Sequence, residues 1–332
     1  MPIGRLCIVL VVSACSSKAP PPEPMAPAPA MPSEETVRNA ATYRACTRYY
    51  NERKWNELRG CYAADVVQDE PGTGKPWIGP NEAVKHLRSF VYSFPDNTIT
   101  PALTLVSGVH AVSIMVLRGT NSGPFPGAAG PTNKPVGLAM AHLIDFDTEG
   151  KIVTEWILYD TFTLHGQLEL LMRPVRGILA EPASPATPFL AKGDQIENAN
   201  LMRYQQAVDA FNAHDPAGVR EQLAEDLVWS EPNLPEDLSK AEVVSQSEDL
   251  WRGFSNLKRT PTTAWAAGDY VAASGRMTGK NDGVSQTFGA NATGRSIDAT
   301  YIEIARYTAG KRDRSWLIYN GIVVAQQLGM KP

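Results

Sequence analysis

The sequence is short of several things that would point to a function. It has no apolar run long enough to cross a bilayer as a stable helix; Leu6 to Val12 is far too brief. Acidic and basic residues nearly balance, at 35 against 31, so no basic face favours nucleic acid as a partner. The five histidines (His86, His110, His142, His165, His214) show no zinc-ligand spacing, and no paired-cysteine motif accompanies them. No metal is expected. There is no Gly-x-Ser-x-Gly elbow. Gly72-Thr73-Gly74-Lys75 is not a phosphate loop, because position 69 is Asp and Pro76 stands where Ser or Thr is needed. No cofactor is expected either.

What is present begins at the N-terminus. Arg5 precedes the short apolar run, and Val12-Ser13-Ala14-Cys15 follows it. This pattern reads as a secretory signal. It resembles the lipobox of bacterial lipoproteins, which implies lipidation of Cys15; an ordinary signal peptide is the alternative. Residues 1–15 are thus read as a signal, and the Pro/Ala-rich residues 16–33 as an extended tether. The expected location is the cell envelope, with a membrane anchor at Cys15. If Cys15 carries lipid and Cys7 leaves with the signal, Cys46 and Cys61 remain. An exported compartment permits a disulfide between them, and two buried thiols are the other reading.

A chain of 332 residues exceeds the usual single core, so two domains are expected. Val37, Ala41, Ala45 and Tyr49 recur at helical spacing, a second helix is expected at Trp55 to Tyr62, and a third starts at Gly79-Pro80. Strand-like runs follow over 98–107, 109–120, 136–148 and 151–162. Residues 173–196 carry Pro174, Pro182, Pro185 and Pro188 and read as a linker between a domain at 34–172 and another at 197–332. The second half repeats the first at an offset of 160 or 161: Asp65 matches Asp226, Glu70-Pro71 matches Glu231-Pro232, Gly108 matches Gly268, and Trp156 matches Trp316. This is a duplicated α+β unit.

Alternation gives the candidate site. Val136, Leu138, Met140, His142, Ile144 and Phe146 share one strand face, with His142 the polar member. Counting by twos along the next strand puts Ile152, Thr154, Trp156, Leu158 and Asp160 together. His142 and Asp160 are therefore the candidate catalytic pair, facing one apolar pocket, where burial would displace both pKa values. A hydrogen-bonded core histidine and a turn aspartate are the structural alternatives. In the second half Glu303 stands where His142 does, and Asn320 replaces Asp160; an amide cannot serve as a base.

The order helix–helix–Asp65-Val66-Val67 to Pro71, then Gly79-Pro80-x-Glu82-Ala83-Val84, resembles the SnoaL-like polyketide cyclase family, of the nuclear transport factor two superfamily. So do Asn133-Lys134-Pro135-Val136, Gly150-Lys151-Ile152-Val153-x-Glu155-Trp156, Asp160 and Gln167-Leu168. The resemblance covers nearly all of 35–172 and extends more weakly over 197–330. It implies two tandem cone-shaped α+β barrels, each a curved antiparallel sheet plugged by three helices. It implies that Asp160 acts as acid/base and that His142 faces the pocket. Where the family commonly has His-Asp-Pro, this chain has Asp69-Glu70-Pro71. The pocket lining is expected to include Met140, Phe146, Trp156, Tyr159, Asp69 and Glu70, with Glu303, Trp316 and Asn320 in the second half. The expected role is binding of a small hydrophobic molecule. The alternative is a cofactor-independent cyclase, isomerase or dehydratase acting on a small carbonyl compound. Sheet pairing, within the chain or between two copies, is a further expectation.

Overall fold

A computed structural model describes residues 30–71, 74–289 and 291–330. Cys15 and the rest of the expected signal lie outside the described residues. Among these, no helix is long and apolar enough to cross a membrane.

The first half runs α1 (Glu34–Asn51), α2 (Trp55–Arg59), β1 (Tyr62–Asp69), β2 (Trp77–Ile78), α3 (Pro80–Ser93), β3 (Thr98–Ser107), β4 (His110–Thr120), β5 (Pro135–Phe146), β6 (Ile152–Tyr159) and α4 (Thr161–Gln167). After β7 (Phe189–Leu190) the pattern repeats as α5 (Gln195–Asn212), α6 (Pro216–Gln222), β8 (Leu223–Ser230), α7 (Lys240–Gly253), β9 (Lys258–Ala267), β10 (Tyr270–Lys280), β11 (Ser296–Thr308), β12 (Lys311–Tyr319) and α8 (Gly321–Gln327). Local chemistry sets the helix starts. Ser33 caps α1 by accepting from the Thr36 backbone N–H, and Ser239 with Glu242 forms a capping box on α7. Pro80 and Pro216 occupy first-turn positions, where a missing N–H costs nothing.

The strand order is β2-β1-β6-β5-β4-β3-β7 in one sheet and β8-β12-β11-β10-β9 in the other. Both sheets are open, not closed barrels. They are mixed rather than wholly antiparallel, since β1 pairs with β6, β3 with β7 and β8 with β12 in parallel. The segment expected as a plain linker contributes β7, whose Phe189 and Leu190 pair with Leu105 and Val106.

Each sheet has two buried faces. The inner face packs on the helices: Tyr43 and Tyr50 of α1 join Met140, Ile144 and Ile157 in one core, and Phe211 and Val243 join Tyr301 and Leu317 in the other. The outer faces pack on each other, Leu105, Ile114 and Leu158 from the first half meeting Ile302, Ile304 and Ile318 from the second. Burying aliphatic side chains of this size stabilises by roughly 1.5–3 kcal/mol each. The disulfide Cys46–Cys61 ties α1 to the segment entering β1, with Cα atoms 6.2 Å apart.

Candidate functional site

The inner face of the first sheet, closed over by α1 and α3, encloses a cavity of ≈ 70 Å³. Its walls are largely aliphatic and aromatic, Phe90, Ile99, Leu117 and Ile157 among them, and a chain of polar side chains also lines it.

His142 is central to that chain. Its Nε2 lies 2.6 Å from Glu155 Oε1, and its Nδ1 lies 3.1 Å from the Tyr43 hydroxyl. Glu155 Oε2 accepts from the Tyr62 hydroxyl at 2.8 Å and from the Gln68 amide nitrogen. The amide oxygen of Gln68 then meets His86 Nδ1 at 2.7 Å. His86 Nε2 lies 3.0 Å from Glu70 Oε2, and the Tyr159 hydroxyl donates to Glu70 Oε1 at 2.6 Å. Trp77 stacks on the His86 ring with centroids 3.4 Å apart, which fixes its plane. Two histidine–carboxylate pairs are thus joined through one amide.

The direction of these bonds determines where protons sit. Gln68 spends a donor on Glu155, so its oxygen faces His86 and His86 Nδ1 carries a hydrogen. The other ring nitrogen, His86 Nε2, faces Glu70. Burial works against ionising Glu155, but the donors from His142, Gln68 and Tyr62 outweigh it and hold its carboxyl below the usual range. Burial pushes the Tyr43, Tyr62 and Tyr159 phenols up, so all three remain neutral donors.

The structure brings together His142, Met140, Tyr159 and Glu70 from the sequence-predicted set. Phe146 is buried in the same core without lining the cavity. Asp160, Trp156 and Asp69 are corrected. Met140 stands opposite Tyr159, His142 opposite Ile157, and Ile144 opposite Glu155, so the odd-numbered residues at the end of β6 face inward. Phe146 pairs with Ile152 but Asp145 with Thr154, leaving Val153 as an extra residue. That bulge inverts the alternation counted from Ile152. Trp156 is placed on the outer face, paired with Asp69 of β1 and Leu143 of β5. Asp160 is fully buried but caps α4, accepting from Thr163 N at 2.7 Å, Thr163 Oγ1 at 2.8 Å and Gly321 N at 3.2 Å. Burial pushes its carboxyl up, which those donors oppose.

The second half differs. Glu303 is buried at the position of His142, held by Arg312 Nη1 at 2.5 Å and Tyr204 at 3.2 Å. Trp316 packs at the edge of the interface between sheets, and Asn320 caps α8 through Ile322 N at 3.3 Å, so neither lines a cavity beside Glu303. Trp229 stands where Gln68 does and is buried in the core, and the remaining cavity is ≈ 30 Å³.

Glu155, Gln68, His86, Tyr43 and Tyr62 were not foreseen. One signal was available: Glu155 is the charged residue in the middle of a largely apolar strand, and such a group needs several donors.

Residues 40–168 match the family model described as SnoaL-like polyketide cyclase, and residues 204–313 match that of the SnoaL-like domain. The chain is a tandem of two SnoaL-like domains. Solved structures similar to it include AclR, a putative hydroxylase from Streptomyces galilaeus, at 23% identity, covering 41% of this chain and 88% of that one with a TM-score of 0.37. A putative SnoaL-like polyketide cyclase from Jannaschia shares 17% identity, covering 42% and 97% with a TM-score of 0.38. IdmH, a putative polyketide cyclase from Streptomyces antibioticus, shares 20% identity, covering 40% and 99% with a TM-score of 0.35. No curated protein matches the chain. The SnoaL-like fold hosts ligand binding and cyclase-type chemistry alike, so function has to be argued from the site.

Proposed function

We propose that the first SnoaL-like domain binds a small, mainly apolar molecule bearing one hydrogen-bonding group. The observation that carries this is the surviving cavity beneath α1 and α3, walled by aliphatic and aromatic side chains and edged by Tyr43, His142, Glu70 and Tyr159. At ~10–15 Å³ per water-sized site, ≈ 70 Å³ accommodates roughly five to seven non-hydrogen atoms, or the tip of a longer chain. Apolar walls supply affinity, and the polar edge orients the ligand. Mass spectrometry of small molecules released from the purified protein tests this. A bound species lost on Gln68→Trp supports the reading; a binding surface unaffected by that change overturns it.

A second reading, acid–base catalysis, is favoured by the two coupled histidine–carboxylate pairs. In it the His86–Glu70 pair removes a proton alpha to a carbonyl, and a neutral tyrosine donates to the developing enolate oxygen. Asp160 has no part. Deuterium exchange at the alpha carbon of small ketones, abolished by Glu70→Gln, is the expected signature. Exchange that persists in that variant defeats the assignment.

We also propose that the protein is exported and lipid-anchored at Cys15, a reading supported by the lipobox-like sequence and by the disulfide Cys46–Cys61, which suits an oxidising compartment. Cys15→Ser is expected to release the protein from membranes; unchanged membrane association rejects the anchor.

A further inference from the structure

The two cavities are lined by corresponding positions of opposite character. Ile99 and Ile152 form part of the apolar wall in the first domain. The same strand positions in the second are Arg259 and Arg312, and both line its ≈ 30 Å³ cavity. Ser315 stands where Glu155 does, so the central carboxylate of the first site has no counterpart.

Both arginines are buried, Arg259 to 9% exposure and Arg312 to 3%. Arg312 is partly satisfied: it pairs with Glu303 at 2.5 Å and reaches the Tyr307 hydroxyl at 3.3 Å, while its Nε has no hydrogen-bond partner. The Arg259 guanidinium has neither an ion pair nor a side-chain hydrogen bond among the described residues. It lies over the Phe211 ring at 4.3 Å and the Trp229 ring at 5.7 Å, and Arg312 lies over the same indole at 5.5 Å. Glu231 is the nearby carboxyl that could neutralise it. That group makes no hydrogen bond to Arg259, accepting instead from Trp229 Nε1 at 2.9 Å and Tyr319 at 3.3 Å; burial pushes its carboxyl up, against the pull of those donors and of the Arg259 charge nearby. Aromatic faces attract a guanidinium but give its N–H groups no acceptors in the plane. A buried cation in that state is costly unless something supplies negative charge.

We propose that the cavity of the second domain is a binding site for a compact monoanion, held between Arg259 and Arg312 against the Trp229 indole. The volume admits a compact anion of few atoms, such as a halide, formate or nitrate, and excludes a bulky one, since a single water needs roughly 10–15 Å³. The second domain has thus exchanged one binding chemistry for another. This inference is independent of what occupies the first domain.

The test is thermal melting of the whole mature chain in sodium chloride, bromide, nitrate or formate against sodium gluconate at equal ionic strength. An anion that binds only the folded state raises Tm saturably. The expected result is a saturating rise with the four small anions, none with gluconate, and loss of the response in Arg259→Met, which keeps the hydrophobic stem over Phe211. An equal response to all salts, or an undiminished response in that variant, overturns the proposal. Should the variant not fold, crystals of the unaltered protein in bromide decide: anomalous scattering between the two guanidinium groups supports the site, and a cavity holding only water rejects it.

Discussion

His142 Nε2 and Glu155 Oε1 lie 2.6 Å apart on adjoining strands, and that carboxylate also gathers donors from Tyr62 and Gln68. A fully buried carboxylate with this many donors is a structural anchor as much as a chemical group.

Glu155→Gln is expected to destabilise the fold by about 1–3 kcal/mol, because the new amide nitrogen faces donors with no acceptor to offer them. The pH dependence follows from the lowered carboxyl of Glu155. The unfolded state binds the proton more readily, so this stabilisation is full above the ordinary carboxylate value of 4.5 and is lost as pH falls through the folded value. Urea melts across acid pH should show a shallower decline for the variant. Parallel curves for the two proteins would remove Glu155 from the acid limb.

Asp160→Asn keeps the cap on α4 through its amide oxygen but turns an NH2 toward the Gly321 N–H, so it should cost about 1 kcal/mol while leaving ligand binding unchanged. Asp160→Ala removes the acceptor for Thr163 and Gly321 and should cost about 1–2 kcal/mol. A loss of binding in the Asn variant would return this residue to the site.

Gln68→Trp copies Trp229 into the first domain. Overpacking should cost about 1–3 kcal/mol, and the side chain should fill the space between α1 and β6. Calorimetric titration with whatever ligand co-purifies is expected to show no heat. Binding of normal affinity would move the ligand out of this cavity.

Opening the Cys46–Cys61 disulfide, which closes a separation of 15 residues, is expected to lower stability by about 3 kcal/mol on the chain-entropy account. Denaturation of the Cys61→Ser protein measures it. Since Cys46 also lines the cavity, ligand affinity should weaken in the same variant.

The duplication, the helices of the first half and the inward face of β5 were legible in the sequence because each leaves a regular spacing. Val136 to Phe146 alternate without interruption; the helix at 34–51 was placed by the spacing of Val37, Ala41, Ala45 and Tyr49, although the structure exposes Val37 and Ala41 and turns Tyr43, Cys46 and Tyr50 to the core. The inward face of β6 was not legible, for two physical reasons. A bulge at Val153 breaks the count, and the outer face is itself buried against the second domain, so Trp156 and Leu158 look as much like core as Ile157 and Tyr159 do. Alternation distinguishes faces only when one of them meets water. His86 was hidden differently. It sits on a helix, far in sequence from the strands it serves, and only the fold carries it to Gln68 and Glu70.

The packing of Leu158 against the second sheet has a consequence for how the two sites diverged. When a protein associates with an identical copy through a twofold contact, every substitution appears twice, and both sites must tolerate it. Here the two surfaces in contact belong to one chain and are encoded separately. A substitution at one cavity wall leaves its counterpart untouched, and Ile99 and Arg259 differ at corresponding positions in just this way. Joining the halves end to end released each from the other's constraints while keeping the surface that holds them together.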